Sequence, residues 1–136
     1  MGARRVVIID DEAAFAKALT RIVNALGYEV TVSTDARSSY TFDLKSSDIV
    51  FVDVLMPNVS GQEVLQKLAQ QKTRSAIVLM SGHEERLDEA EKLARNLDLN
   101  LVGALTKPFR LEDVTATMEA TATPDNDNSF NHFMTS

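Results

Sequence analysis

Apolar and polar residues along the chain form two kinds of segment. Five short runs rich in β-branched residues predict strands. The first, third and fourth are almost continuously apolar, which is typical of strands buried on both faces of a sheet. The second, EVTVS, alternates apolar and polar residues, as an edge strand does. The predicted strands are Arg5–Ile9, Glu29–Ser33, Ile49–Val52, Ala76–Met80 and Leu101–Leu105.

Between these runs, apolar residues recur with helical spacing. The first helical pattern stops at Gly27, and Ser60 and Glu63 have the spacing of a capping box. Serine and threonine dilute the pattern over 36–46. Five strand–helix repeats predict an α/β fold, a parallel sheet with helices on both faces. The predicted helices are Glu12–Leu26, Ala36–Ser46, Ser60–Gln70, His83–Leu97 and Arg110–Ala122.

Composition narrows the class of protein. The 136 residues suit one domain, which we place at 4–122, and the turn-rich 123–136 segment is expected to be a linker or disordered tail. The chain has no cysteine, which excludes disulfides and thiolate metal sites. A net charge of −6 with scattered basic residues argues against direct nucleic-acid binding. The first apolar run is too short for a signal peptide or membrane span, so we expect a cytoplasmic protein.

Candidate chemistry follows the strands. Asp10 and Asp11 end the first and Asp53 the third, and the carboxyl ends of parallel strands meet at one rim, where ligands bind. Carboxylates crowded there repel one another unless a hard divalent cation binds. We therefore predict a site for Mg²⁺, or Mn²⁺ in its place, with the backbone carbonyl of Leu55 as a further ligand.

The same rim suits phosphoryl transfer. Asp53 could attack phosphorus and form an aspartyl-phosphate, while the cation and Lys107 neutralise phosphoryl oxygens and the Ser81 hydroxyl binds another. Each residue alone has a simpler interpretation: a strand-terminal aspartate is often a helix N-cap, Ser81 with Glu84 fits a capping box, and Lys-Pro is usually a turn. The joint pattern at the ends of four strands is much rarer by chance.

These motifs resemble those of receiver domains of two-component response regulators. The matching segments are VVIIDDE (6–12), IVFVDVLMPNVSGQEVL (49–65), LMSG (79–82) and LTKPF (105–109). The resemblance implies a flavodoxin-like (βα)₅ sandwich with strand order 2-1-3-4-5 and a cis bond before Pro108. It implies a phosphoacceptor at Asp53, an acidic pair at Asp10 and Asp11, a switch hydroxyl at Ser81 and, at Lys107, the lysine of the family's site.

The resemblance also implies partners and a function. The expected phosphodonor is a histidine kinase or histidine phosphotransfer protein. The expected role is a signalling domain that catalyses only its own phosphorylation and dephosphorylation. It would control an output domain C-terminal to this chain or a separate partner, with a possible homodimer through the fourth helix and fifth strand.

Two departures from the family stand out. Receivers usually carry an aromatic residue three positions before the lysine, where this chain has Ala104. The segment from Ser81 to Lys107 is about one helical turn longer than in a typical receiver, which predicts a lengthened fourth helix or following loop. A long, charged fourth helix is similar to receivers attached to EAL-type domains. His83 lies near the expected phosphate, either as a group that tunes dephosphorylation by guiding or blocking the attacking water or as an exposed residue in the first turn of the fourth helix.

Other functions stay open. A phosphorelay intermediate or phosphate sink without its own output is the main alternative, and the missing aromatic favours it. A pure interaction module is disfavoured by the complete set of site residues. A flavin or nucleotide binder would need a phosphate loop after the first strand, where Asp-Asp-Glu stands. A haloacid-dehalogenase-type hydrolase would need a second carboxylate where Leu55 stands.

Overall fold

The strands of the structure, a computed structural model that describes residues 4–122, form one parallel sheet. Its order, β2-β1-β3-β4-β5, is the predicted one. The bounds agree with the sequence pattern, and three strands each extend one residue further than expected. The strands are β1 (Arg5–Ile9), β2 (Glu29–Ser33), β3 (Ile49–Asp53), β4 (Ala76–Ser81) and β5 (Leu101–Thr106).

Burial explains the strand patterns. Every residue of β3 and β4 is buried, and so is β1 after Arg5, because these strands are central and covered on both faces. The alternating second run is indeed the edge strand β2, whose side chains are mostly half-buried or exposed. The strand β5 lies at the other edge, and β4–β5 pairing shifts register between Ile77 and Val78.

Four α-helices complete the layers. One core cluster, with Leu65 and Leu87, packs α2 and α3 on one face of the sheet. The other, with Leu19 and Met118, packs α1 and α4 on the opposite face. The fold is therefore the predicted three-layer α/β sandwich. The helices are α1 (Ala13–Ala25), α2 (Gly61–Gln70), α3 (Glu84–Asn96) and α4 (Leu111–Ala122).

The helix predicted over 36–46 is wrong in type and length. Residues Ala36–Thr41 form a short 3₁₀ helix, η1, and no α-helix. Hydroxyl groups explain this outcome, since Ser39 Oγ donates to the Ala36 carbonyl and Thr41 Oγ1 donates to the Ser38 carbonyl at 3.1 Å. Such local bonds compete with the α-helical ladder, and they favour short, tight turns.

Two further expectations concern length and ends. The predicted fourth helix is α3, which at 13 residues has the same length as α1. Ser60 caps α2 as its spacing predicts, accepting a hydrogen bond from the Glu63 N–H at 3.0 Å.

Across residues 4–122, none of the helices has both the length and the apolar character that crossing a membrane requires. The predicted linker or tail at 123–136 lies outside the described residues.

Candidate functional site

Three carboxylates meet at the carboxyl end of the sheet. Strands β1 and β3 are hydrogen-bonded neighbours, so Asp10 and Asp53 leave the sheet side by side. One carboxylate oxygen from each of Asp10, Asp11 and Asp53 lies within 4.8 Å of the others. Asp10 and Asp53 are buried, with 0% and 4% of their surface exposed, while Asp11 is exposed. The predicted acidic cluster therefore forms at the predicted rim.

Backbone N–H groups fix the two buried carboxylates. Asp10 Oδ1 accepts from the Glu12 N–H and Asp53 Oδ1 from the Leu55 N–H, each at 2.9 Å. Neither aspartate caps a following helix, because the N-cap of α1 is Glu12 and that of α2 is Ser60. The simpler interpretation of these aspartates as helix caps is therefore wrong. Each carboxylate keeps its second oxygen toward the rim.

Lys107 supplies the positive charge. Its Nζ lies 2.8 Å from Asp10 Oδ2 and 3.1 Å from Asp53 Oδ2, with Glu12 Oε1 at 3.4 Å. Only 13% of its side chain is exposed. Its backbone N–H donates to the Ser81 carbonyl at 2.8 Å, which ties the end of β5 to the end of β4. The Lys107–Pro108 peptide bond is cis, as expected.

Charge and burial shift two pKa values. Burial raises the pKa of Asp53 from its ordinary 3.8 to about 6, and nearby Asp10 adds to the rise, while the Leu55 N–H and Lys107 oppose it. Burial lowers the pKa of Lys107, but its hydrogen bond to Asp10 and its attraction to Asp53 outweigh this effect, so the net shift is upward. The ammonium therefore stays charged, whereas the Asp53 carboxylate is held at a cost.

A cavity of about 720 Å³ opens beside these groups. Asp11, Asp53, Leu55 and Lys107 line it, so four predicted site residues face one space. Its other lining residues are Glu12, Phe15, Gly82, His83 and Pro108.

Ser81 reaches the same rim differently. It ends β4 and is completely buried, and its Oγ accepts from the His83 N–H at 3.0 Å. Ser81 is not the N-cap of α3, which is the exposed His83. Accepting this bond does not use the hydroxyl's own hydrogen, which can still be donated to a group at the rim.

The sequence did not single out two aromatic residues at this site. The Phe15 ring lies 4.1 Å from Lys107 Nζ, and the Phe109 ring meets it edge-on with centroids 5.1 Å apart. A signal was present, since Phe15 stands one helical turn after Asp11. Ala104, where an aromatic was expected, pairs with Leu79 in the sheet and is half-buried.

Comparisons with known proteins indicate a family. Residues 6–119 match the family model described as response regulator receiver domain. The alkaline phosphatase synthesis transcriptional regulatory protein PhoP of Bacillus subtilis is 26% identical over 118 residues, covering 86% of this chain and 48% of that protein. The response regulator MprA of Mycolicibacterium vanbaalenii is 32% identical over 127 residues, covering 89% and 52%.

A solved structure is also similar. The crystal structure of a response regulator from Colwellia psychrerythraea superposes with a TM-score of 0.78 at 32% identity, covering 89% of this chain and 96% of that one. By contrast, the chain spans about half the length of the curated relatives that it matches.

Proposed function

This chain belongs to the response regulator receiver domains of two-component signalling, and on that premise we propose that it is switched by a phosphoryl group carried on Asp53. The observation that supports this most directly is the Lys107 ammonium, which lies between the carboxylates of Asp10 and Asp53 beside an open cavity. The family is a signalling family and not one of classical enzymes. The chemistry described below is therefore a reaction of the domain on itself.

Asp53 is the proposed nucleophile. The Leu55 N–H holds one carboxylate oxygen at 2.9 Å, and the second oxygen faces Lys107. A carboxylate oxygen forms a bond to phosphorus while the bond from phosphorus to the donor's leaving group breaks, and the electron pair departs with that group. Lys107 then neutralises a phosphoryl oxygen. The Ser81 hydroxyl donates its hydrogen to another phosphoryl oxygen while its own oxygen accepts from the His83 N–H.

The acidic cluster fits a hard divalent cation. Asp10, Asp11 and Asp53 offer carboxylate oxygens within 4.8 Å of one another, which is the donor chemistry that Mg²⁺ and Mn²⁺ prefer. We propose these three residues as ligands, with the Leu55 carbonyl as a fourth. When bound, the cation supplies positive charge that neutralises the transferring phosphoryl group. It also relieves the repulsion between Asp10 and Asp53.

The proposed donor is a histidine kinase or a histidine phosphotransfer protein. The proposed output is a further domain or a separate partner, since the matched relatives are about twice as long and one is named a transcriptional regulator. A homodimer through α3 and β5, and a relationship to EAL-linked receivers, remain predictions. Ala104 favours the second candidate, a relay intermediate without its own output, because no large ring stands there to report the modification.

The direct test is phosphate uptake. The purified chain is incubated with acetyl phosphate and Mg²⁺, and intact mass spectrometry counts the phosphates added. We expect one phosphate on the wild type and none on Asp53→Asn. The matched control is Asp48→Asn, because Asp48 is equally buried but precedes β3 at the opposite end of that strand. A modified Asp53→Asn protein would refute the assignment of the phosphoacceptor.

A second measurement separates switch from relay. Phosphorylated protein is mixed with a histidine phosphotransfer protein, and the label on each is followed over time. Rapid return of the phosphate to histidine favours the relay. A long-lived aspartyl-phosphate that changes the size of the protein in solution favours the switch.

A further inference from the structure

The Lys107 ammonium contacts two different kinds of group. Carboxylates of Asp10 and Asp53 lie at 2.8 and 3.1 Å from Nζ. The ring of Phe15 has its centroid 4.1 Å from the same atom. This distance is well within the range of about 6 Å over which an ammonium is attracted to the face of an aromatic ring. With 13% of the lysine side chain exposed, water screens the contact little.

Phe109 fixes the plane of that ring. Its ring meets Phe15 at 90° with centroids 5.1 Å apart, an edge-to-face arrangement that aromatic pairs prefer. Both rings are half-buried and pack against the core cluster that joins α1 and α4 to the sheet. Phe109 also follows Lys107 by two positions. The ring face and the ammonium are therefore held against each other by α1, which carries Phe15, and by the segment 107–109, which carries Lys107 and Phe109.

The two attractions respond differently to charge at the rim. The two carboxylates nearest to Lys107, those of Asp10 and Asp53, are also groups that we propose as cation ligands, whereas the third, Glu12, lies farther away at 3.4 Å and is exposed to water. A divalent cation there neutralises them and repels the ammonium. The Phe15 ring is neutral and is not a ligand, so its attraction for Lys107 persists when the carboxylates are occupied. Together with the exposed Glu12 carboxylate, the ring is thus a contact that can keep the ammonium in the cavity when a phosphoryl group binds.

We propose that Phe15 is a positioning residue for Lys107 in the phosphorylation reaction, acting through the face of its ring. The proposal rests on the proposed function of Asp53 and extends it to α1. Lys107 touches the reacting group, and Phe15 acts only through Lys107. It also follows that aromatic contact to this lysine comes from α1, whereas β5 offers only Ala104 at the position where receivers usually carry a ring.

The test changes the electron density on the face of the Phe15 ring and leaves the size of the ring nearly unchanged. Phenylalanines with increasing numbers of fluorine atoms replace Phe15 in the full chain, because each fluorine weakens the negative face of the ring. The rate of phosphorylation by acetyl phosphate is measured at saturating Mg²⁺. We expect a stepwise fall that reaches about threefold to tenfold with the pentafluoro ring. The same analogues at Phe42, a half-buried phenylalanine outside the cavity, should leave the rate unchanged.

A second measurement needs neither metal nor phosphate. Urea unfolding midpoints are compared for the wild type, Phe15→Leu, Lys107→Met and the double variant in the presence of EDTA. If ring and ammonium interact, Phe15→Leu lowers the midpoint in the wild type by more than it does in Lys107→Met. Equal shifts in both backgrounds would show a packing role only and would overturn the proposal.

The outcomes also separate this proposal from the one on which it rests. A wild type that takes up phosphate normally, with a flat rate across the fluorinated series, overturns the role of Phe15 and leaves Asp53 as the phosphoacceptor. A wild type that takes up no phosphate overturns both. A graded loss at position 15, with none at position 42 and non-additive unfolding midpoints, supports the positioning role.

Discussion

Replacing Asp53 with asparagine should stabilise the protein when no divalent cation is present. Asp53 is 4% exposed, and burial together with nearby Asp10 raises its pKa to about 6. Its ionised form is therefore held at a cost at neutral pH. Asparagine has nearly the same shape, and its amide oxygen can keep the hydrogen bond from the Leu55 N–H, which is 2.9 Å long in the wild type. The substitution removes the buried charge and leaves the hydrogen bond from the Leu55 N–H intact.

The magnitude follows from the pKa. A rise from 3.8 to about 6 corresponds to about 3 kcal/mol at neutral pH, since one pKa unit is worth about 1.4 kcal/mol. Asparagine does not recover all of this, because its NH₂ group would face Lys107 Nζ, which is 3.1 Å from Asp53 Oδ2. We therefore expect the free energy of unfolding to rise by about 1–2 kcal/mol.

The pH dependence has a definite sign. A carboxyl whose pKa is raised by folding binds its proton more tightly in the folded state than in the unfolded chain. Its protonation therefore favours the wild type at low pH, and this contribution is lost as the pH rises through about 6. The asparagine of Asp53→Asn has no proton to gain or lose over this pH range. The two proteins should have similar stability near pH 4, and the variant should be the more stable one above about pH 7.

Urea unfolding in EDTA from pH 4 to 8 measures the difference. The control is Asp48→Asn, which is also buried but whose carboxylate accepts from Arg5 at 2.7 Å and from the Lys45 N–H at 2.8 Å. That variant should lose stability at neutral pH, because it removes the buried negative charge that pairs with Arg5. The reasoning is refuted if Asp53→Asn is less stable than the wild type at pH 7.5, or if the difference persists at pH 4.

Three further predictions concern the same rim. Mg²⁺ should raise the thermal unfolding midpoint of the wild type in a concentration-dependent manner, and calorimetric titration should show an affinity about tenfold or more lower for Asp11→Asn. Lys107→Met should slow uptake from acetyl phosphate by about tenfold to a hundredfold while Mg²⁺ binds at least as tightly, because a competing positive charge is gone. Gly61→Ala should lower the free energy of unfolding by about 1–3 kcal/mol in urea titrations, because its Cβ would lie 2.7 Å from the Val54 carbonyl oxygen, whereas Gly82→Ala, with nothing within 4 Å, should cost little.

The sequence predicts most of the fold because residues of the central strands must be apolar to be buried. Residues Ile49–Asp53 are all buried in the centre of the sheet, and every one is apolar except the final aspartate. Edge strand β2 alternates in sequence, but its burial does not follow that alternation, since Val32 is exposed and Ser33 is buried. The failure at η1 is also physical. There the outcome depends on hydroxyl groups that bond locally to the backbone, and a count of apolar spacing does not see such bonds.

The site also has parts that the sequence predicts and parts that it does not. Strand order brings Asp10 and Asp53 together, because β1 and β3 are adjacent in the sheet, and Lys107 reaches them across β4 from the end of β5. The contact between Phe15 and Lys107 depends on how α1 is seated, which no spacing in the sequence determines. The hydrogen bond that the Ser81 oxygen accepts from the His83 N–H depends equally on local geometry. The sequence therefore predicts the topology, whereas it does not predict ring contacts or side-chain hydrogen bonds.

Charge imbalance at the rim links stability to function. Three carboxylates converge there, and Lys107 alone among the described residues places a cation between two of them. The repulsion that lowers stability without metal also favours binding of a cation, so a change such as Asp53→Asn should gain stability and lose cation binding together. A change that only damages packing, such as Gly61→Ala, should lower stability and leave cation affinity nearly unchanged, because most molecules stay folded. Opposite changes in the two measurements therefore identify a residue of the site, and a loss of stability alone identifies a residue that only supports the fold.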